Sequence, residues 1–125
     1  GRDAQAEEIL KEALQNTPNN HQIHLKLLGI YANRKDLNSF SAIARQLKDC
    51  ARTLGWLEKA STANDLAITQ FHLGKKADCL KTLQPLAKDA AKKDDVLKDD
   101  YPPSDWADYQ PVVKATRTNL ALCRR

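Results

Sequence analysis

The sequence predicts an all-α chain of antiparallel helix hairpins stacked into a superhelix, and three observations point there. Ala, Leu, Lys, Gln and Asp dominate the 125 residues, while aromatic residues make up 6%, a balance that favours helix over strand. Apolar residues recur at helical spacing, and the pattern itself repeats: Leu27 and Leu28 are followed 39 residues later by Leu66 and Ala67. Gly and Pro are few, four and five, and several fall between the apolar blocks, as helix punctuation should.

The elements follow in order. Before Pro18, the residues Ala6, Leu10 and Ala13 share one helical face, so residues 1–20 read as the second helix of a truncated repeat. The next unit, residues 21–54, carries Leu27, Leu28 and Tyr31 on its first helix and Phe40, Ala44 and Leu47 on its second. Gly55 is a plausible stop and Trp56 a helix start. The unit 55–93 places Leu66 and Ala67 before Gly74, and Cys79, Leu83 and Leu86 after it. Pro85 interrupts that second helix, predicting either a kink or a stop at Gln84 with a restart at Pro85. Residues 94–113, with a Pro pair and clustered Asp, predict an ordered loop or short turn. Residues 114–125 repeat the first-helix pattern through Leu120 and Ala121, again as half of a truncated repeat.

This arrangement is similar to the tetratricopeptide (TPR) repeat, a helix-turn-helix unit of roughly 34 residues whose stacked copies curl around a concave groove. Residues 1–48 carry a closer likeness. GRDAQAEEILKEAL followed by HLKLLGIYANRKDLNSFSAIARQL resembles the repeats of the FimV/TspA family, bacterial inner-membrane hub proteins of type IV pilus assembly, polar organisation and twitching motility. The resemblance implies a cytoplasmic scaffold on the inner membrane that recruits protein partners. Residues 49–125 depart from that family's pattern, so the likeness covers about two-fifths of the chain.

The groove positions of the first helices are Gln22, Lys26 and Asn33, then Asn64, Asp65, Ile68 and His72, then Thr118 and Asn119. Their mixed polar and apolar character suits an extended peptide or a partner helix. Only Lys26, Asn64 and Asn119 resemble a clamp for a C-terminal carboxylate, and Asp65 would repel one. Cys79, early in one helix, and Cys123, late in an antiparallel neighbour, are expected to lie close, either as a disulfide in an oxidising compartment or as two reduced buried thiols. Cys50 is expected to be free. A bridge would make the chain a periplasmic or secreted adaptor instead.

Charge is uneven. Residues 94–110 hold six Asp and one Lys, a charge of −5, so the rest of this +4 chain carries +9. That motivates a nucleic-acid-binding solenoid as a rival, but the Lys residues at 75, 76, 81, 88, 92 and 93 lack interleaved aromatic residues and read as a solvated face. His21 and His24 share a face without the Cys or carboxylate that would complete a zinc set. No phosphate loop, GxSxG or HExxH motif occurs, so neither catalysis nor a cofactor is expected. No apolar run reaches the roughly 20 residues of a membrane span, and the first residues lack a signal peptide's layout. Apolar faces at Ile9 and Leu10, and at Leu120 and Leu122, predict end-to-end or swapped self-association.

Overall fold

A computed structural model describes the backbone of residues 2–100 and 103–125, and the side chains of residues 2–88 and 109–125. Its described residues form six α-helices and no strand: α1 (Arg2–Asn16), α2 (His21–Arg34), α3 (Leu37–Ala51), α4 (Trp56–His72), α5 (Lys76–Asp100) and α6 (Pro103–Cys123). They divide into two compact units, Gly1–Leu54 and Gly55–Arg125.

In the first unit, α2 packs against both α1 and α3. Leu27, Leu28, Phe40 and Leu47 are the most deeply buried apolar side chains, each contributing about 1.5–3 kcal/mol relative to exposure. The α1–α2 loop is held from two sides by one carbonyl. His24, 2% exposed, donates from Nε2 to the oxygen of Pro18 at 3.0 Å, and the Cys50 thiol of α3 donates to that oxygen at 3.6 Å. Asn20 then opens α2, its side chain accepting from the amides of Gln22 and Ile23.

In the second unit, α4, α5 and α6 pack pairwise. Ala60, Ala67, Cys79, Leu83, Leu86 and Cys123 form the buried centre, with Trp56, Phe71, Leu80, Val112 and Leu120 packed around it. The Trp56 and Tyr109 rings meet at 5.6 Å between centroids, joining the start of α4 to α6.

The two units share a turn. After α2, Asp36 N–H donates to Tyr31 O at 3.0 Å and Lys35 N–H to Ala32 O at 3.1 Å; after α4, Lys75 N–H donates to Gln70 O and Gly74 N–H to Phe71 O, both at 2.9 Å. Both are the helix-ending pattern of paired 6→1 and 5→2 bonds, which needs a left-handed residue. Lys35 supplies it at φ 58° and Gly74 at φ 79°. Lys35, Asp36 and Gly74, Lys75 stand 39 residues apart, the interval at which the apolar pattern repeats.

Several expectations are corrected. The loop or short turn expected at residues 94–113 is replaced by helix wherever that stretch is described: α5 continues through Asp100 and α6 begins at Pro103, with 101 and 102 outside the described residues. The stretch from Lys88 to Asp100 contains no Gly or Pro and many good helix formers. Pro103 occupies the first helical position, where a missing N–H costs nothing. The last helix therefore starts at Pro103 and not near residue 114, and it carries Pro111 in its interior. Of the two outcomes expected at Pro85, the stop at Gln84 does not occur, since α5 runs through it. Both Pro85 and Lys81 are exposed, so the Lys81 carbonyl, deprived of its donor, faces water. Gly55 does not stop α3, which ends at Ala51; it precedes α4 as that helix's N-cap, with φ −62° and ψ 162°.

Candidate functional site

The nine positions expected to line a groove fall in both units. Gln22, Lys26 and Asn33 are exposed on α2 of the first unit. Gln22 also borders a shallow depression of about 590 Å³ formed by Thr17, Pro18, Asn19, Asn20 and His21. That depression includes the start of α2, whose Gln22 and Ile23 amides are already taken by Asn20. The remaining six lie on α4 and α6 of the second unit, which run parallel: Trp56 meets Tyr109, and one helical stretch onward Asn64 meets Thr116 and Asn119.

Asn64 is the central member and differs from expectation. It is not a solvent-facing groove residue but 6% exposed. Its Nδ2 donates to Ala60 O at 2.9 Å and to Thr116 Oγ1 at 3.0 Å, while its Oδ1 accepts from Asn119 Nδ2 at 2.9 Å. Thr116 Oγ1 passes its own proton to Val112 O at 2.8 Å. The amide thus has every strong group engaged, which is what a buried polar side chain requires. Asn64 is thus a buried linker between α4 and α6 that positions the Asn119 amide.

Asn119 is half-buried. One of its amide protons goes to Asn64, and its second proton and its Oδ1 have no protein partner among the described residues. An amide fixed in this way offers one donor and one acceptor in a plane, the same pair that an extended peptide backbone offers. Of the other expected positions in this unit, Thr118, Asp65 and His72 are exposed and Ile68 is half-buried. Burial pushes the Asp65 carboxyl above its usual range, as expected for a charge set beside an apolar surface.

Residues that the pattern did not single out carry much of the polar architecture. Thr116, fully buried, was hidden because Thr is common on helix surfaces. Gln70, also buried, accepts from Thr82 Oγ1 at 2.7 Å and joins α4 to α5. In the first unit, Glu7 of α1 accepts from Arg34 and from Tyr31 Oη at 3.2 Å, and pairs with Lys11 at 3.0 Å. The Arg34 guanidinium, with help from Lys11, holds the Glu7 carboxyl down to about 2.

Cys79 and Cys123 are joined as a disulfide with 5.6 Å between their Cα atoms, tying the first turn of α5 to the last residue of α6. Cys50 is a buried free thiol whose titration is pushed up, first by burial and then by the Asp49 charge. Among the described residues no group of three or more His, Cys, Asp or Glu could hold a metal ion, and no helix is long and apolar enough to cross a membrane.

The class so defined is an all-helical chain of two small bundles, one carrying a disulfide and a polar α4/α6 face. Comparison with protein families, curated proteins and solved structures finds no match to the chain.

Proposed function

We propose that the chain is a non-catalytic protein-binding scaffold, a TPR-like module whose α4/α6 face takes an extended segment of a partner protein. The observation that carries this reading is the Asn64–Asn119 pair: one amide is spent on fixing the second, and the second keeps a donor and an acceptor toward the outside. Ile68 and Asp65 beside it offer an apolar contact and a charge for side chains of a bound strand. The absence of catalytic motifs from the sequence supports binding over chemistry. The resemblance of residues 1–48 to the FimV/TspA repeats supplies a setting for that binding, a hub of type IV pilus assembly and polar localisation.

A peptide-display library panned on the intact chain tests the reading. Enriched peptides should lose binding about tenfold on Asn119→Ala, the loss of one or two hydrogen bonds. A library with no enrichment, or peptides indifferent to Asn119→Ala, Ile68→Ser and Thr118→Ala alike, would overturn it.

One observation favours a second setting. The Cys79–Cys123 bond is of a kind that persists in oxidising compartments and is rare in the cytosol. The same module would then serve as a periplasmic or secreted adaptor. Counting thiols on protein taken directly from its native cells, denatured without reductant, separates the two: three titratable thiols support the cytoplasmic hub, one supports the adaptor.

A further inference from the structure

One end of the second unit gathers cations from two helices. The Cys79–Cys123 bond holds the first turn of α5 and the last residue of α6 with 5.6 Å between their Cα atoms. Lys75 stands one turn before Cys79, its carbonyl accepting from the Cys79 amide at 3.0 Å, and Lys76 follows it. Beyond Cys123, Arg124 N–H donates to Ala121 O at 3.3 Å and Arg125 N–H to Leu122 O at 3.1 Å, so both stay beside the helix end. The Cα atoms of these basic residues therefore lie within about 20 Å of one another. Lys76, Arg124 and Arg125 are exposed, whereas Lys75 is half-buried and pairs with Asp78 at 4.0 Å. Against these four cations stand Asp78 and, where the chain stops at Arg125, one terminal carboxylate. Residues 109–125 hold no Asp or Glu, and Asp65 stands seven residues before His72 on α4, about 10 Å back from this end.

We propose that this end receives the acidic part of a bound protein segment. The inference rests on the reading that a partner segment runs along α4 and α6, and it adds the chemistry of that segment. Because α4 and α6 run parallel, a segment following them leaves over the end where His72, Lys76, Arg124 and Arg125 are exposed. Arg124 lies five residues beyond Asn119. That is about 7.5 Å along the helix, which an extended chain covers in about two or three residues. Carboxylates are therefore expected from about two residues beyond the one that meets Asn119. Other polyanions fit less well. Single-stranded nucleic acid is held by stacked aromatic rings as well as by cations, and no Phe, Tyr or Trp is exposed among the described residues of this unit. An anionic membrane surface takes apolar side chains alongside basic ones, whereas the large apolar side chains exposed among the described residues, Ile9 and Leu37, both lie in the first unit.

Peptide pools of random sequence, each carrying at one end a short fixed block of Glu, of Gln or of Lys, panned on the intact chain provide the test. The Glu pools should be enriched about tenfold over the Lys pools at about 0.05 M salt, and the gap should close at about 0.5 M, where exposed charges are screened. Lys76→Glu with Arg124→Glu should reverse the order of the pools, and Lys76→Gln with Arg124→Gln should level it. A tryptophan-fluorescence melt like that of the wild type shows that the variants fold. Pools enriched equally whatever their block, yet still dependent on Asn119, would overturn this inference and leave the binding reading standing; no enrichment in any pool would overturn both. Charge-reversed protein that keeps the wild-type order would sink the inference. So would displacement of an enriched Glu peptide by mixed-sequence nucleic acid or phosphatidylserine vesicles at equal negative charge.

Discussion

Opening the Cys79–Cys123 bond should cost the second unit a large part of its stability. The bond closes 44 residues of sequence separation, and the loop-closure relation for a cross-link of that span gives about 4 kcal/mol. For a unit the size of Gly55–Arg125, each kcal/mol moves the midpoint by about 4–8 °C, so removal of the bond should lower it by about 15–30 °C. Both cysteines are 1% exposed, so a reductant added to the native protein meets no accessible sulfur, and the bond is better reduced in denaturant and the protein refolded with reductant present. Reduction keeps both sulfur atoms in place, whereas Cys79→Ala with Cys123→Ala also removes their packing; agreement between the two isolates the cross-link.

The chain supplies its own control. Both tryptophans, Trp56 and Trp106, lie in the second unit and none lies in the first. Tryptophan fluorescence therefore follows the bridged unit alone, while circular dichroism follows helices in both. Reduction should displace the fluorescence transition and leave a separate, unshifted part of the dichroism transition belonging to the first unit. A fluorescence midpoint that moves by less than about 2 °C on reduction would refute the reasoning, because the relation allows no such small change for this loop.

Four further outcomes follow from the geometry. Asn64→Ala should destabilise the second unit by about 1–3 kcal/mol, since it strands buried partners, and Asn119→Ala by only about 0.5–1.5 kcal/mol; urea unfolding followed by fluorescence checks the order. Glu7 has its carboxyl depressed from about 4.5 to about 2, so its contribution is fully present above pH 4.5 and is lost as pH falls toward 2; acid titration of Glu7→Gln should lack the component that the wild type shows in that window. Lys35→Gly should raise stability and Gly74→Ala should lower it, each by about 1 kcal/mol, because both positions have positive φ; thermal melts report the signs. Cys50, buried and raised in pKa, should resist iodoacetamide at neutral pH in the native protein and react once denaturant is added, read by mass spectrometry.

The helices were legible in the sequence because the apolar period and the punctuation agreed. Tyr31, Phe40, Leu47, Leu66, Leu83 and Leu86 were singled out by spacing, and all are buried. The misread boundaries came from giving proline and clustered Asp too much weight as signs of a break. Pro85 sits on the exposed side of α5, where the orphaned carbonyl finds solvent, and Pro103 sits at a helix start, where no bond is lost; only position relative to the core distinguishes such prolines from true breakers, and a linear pattern does not contain it. The Glu7 cluster was hidden for a related reason. Its partners Tyr31 and Arg34 lie 24 and 27 residues away, and nothing local marks a surface glutamate as the anchor of α1.

The groove positions were legible as places on helices and misassigned as roles, and the difference turns on register. Apolar faces attract two parallel helices without fixing how far one is shifted along the other, because a slide of one turn brings similar residues back into contact. The Asn64 amide removes that freedom: it must find Thr116 and Asn119 at once, and a shifted α6 would leave buried donors and acceptors unpaired at about 1–3 kcal/mol each. An apolar side chain at 64 could fill the space, but it would give up this discrimination. Holding α6 in one register is what sets the Asn119 amide at a defined place next to Asn64, so the buried residue fixes the geometry that the half-buried one presents.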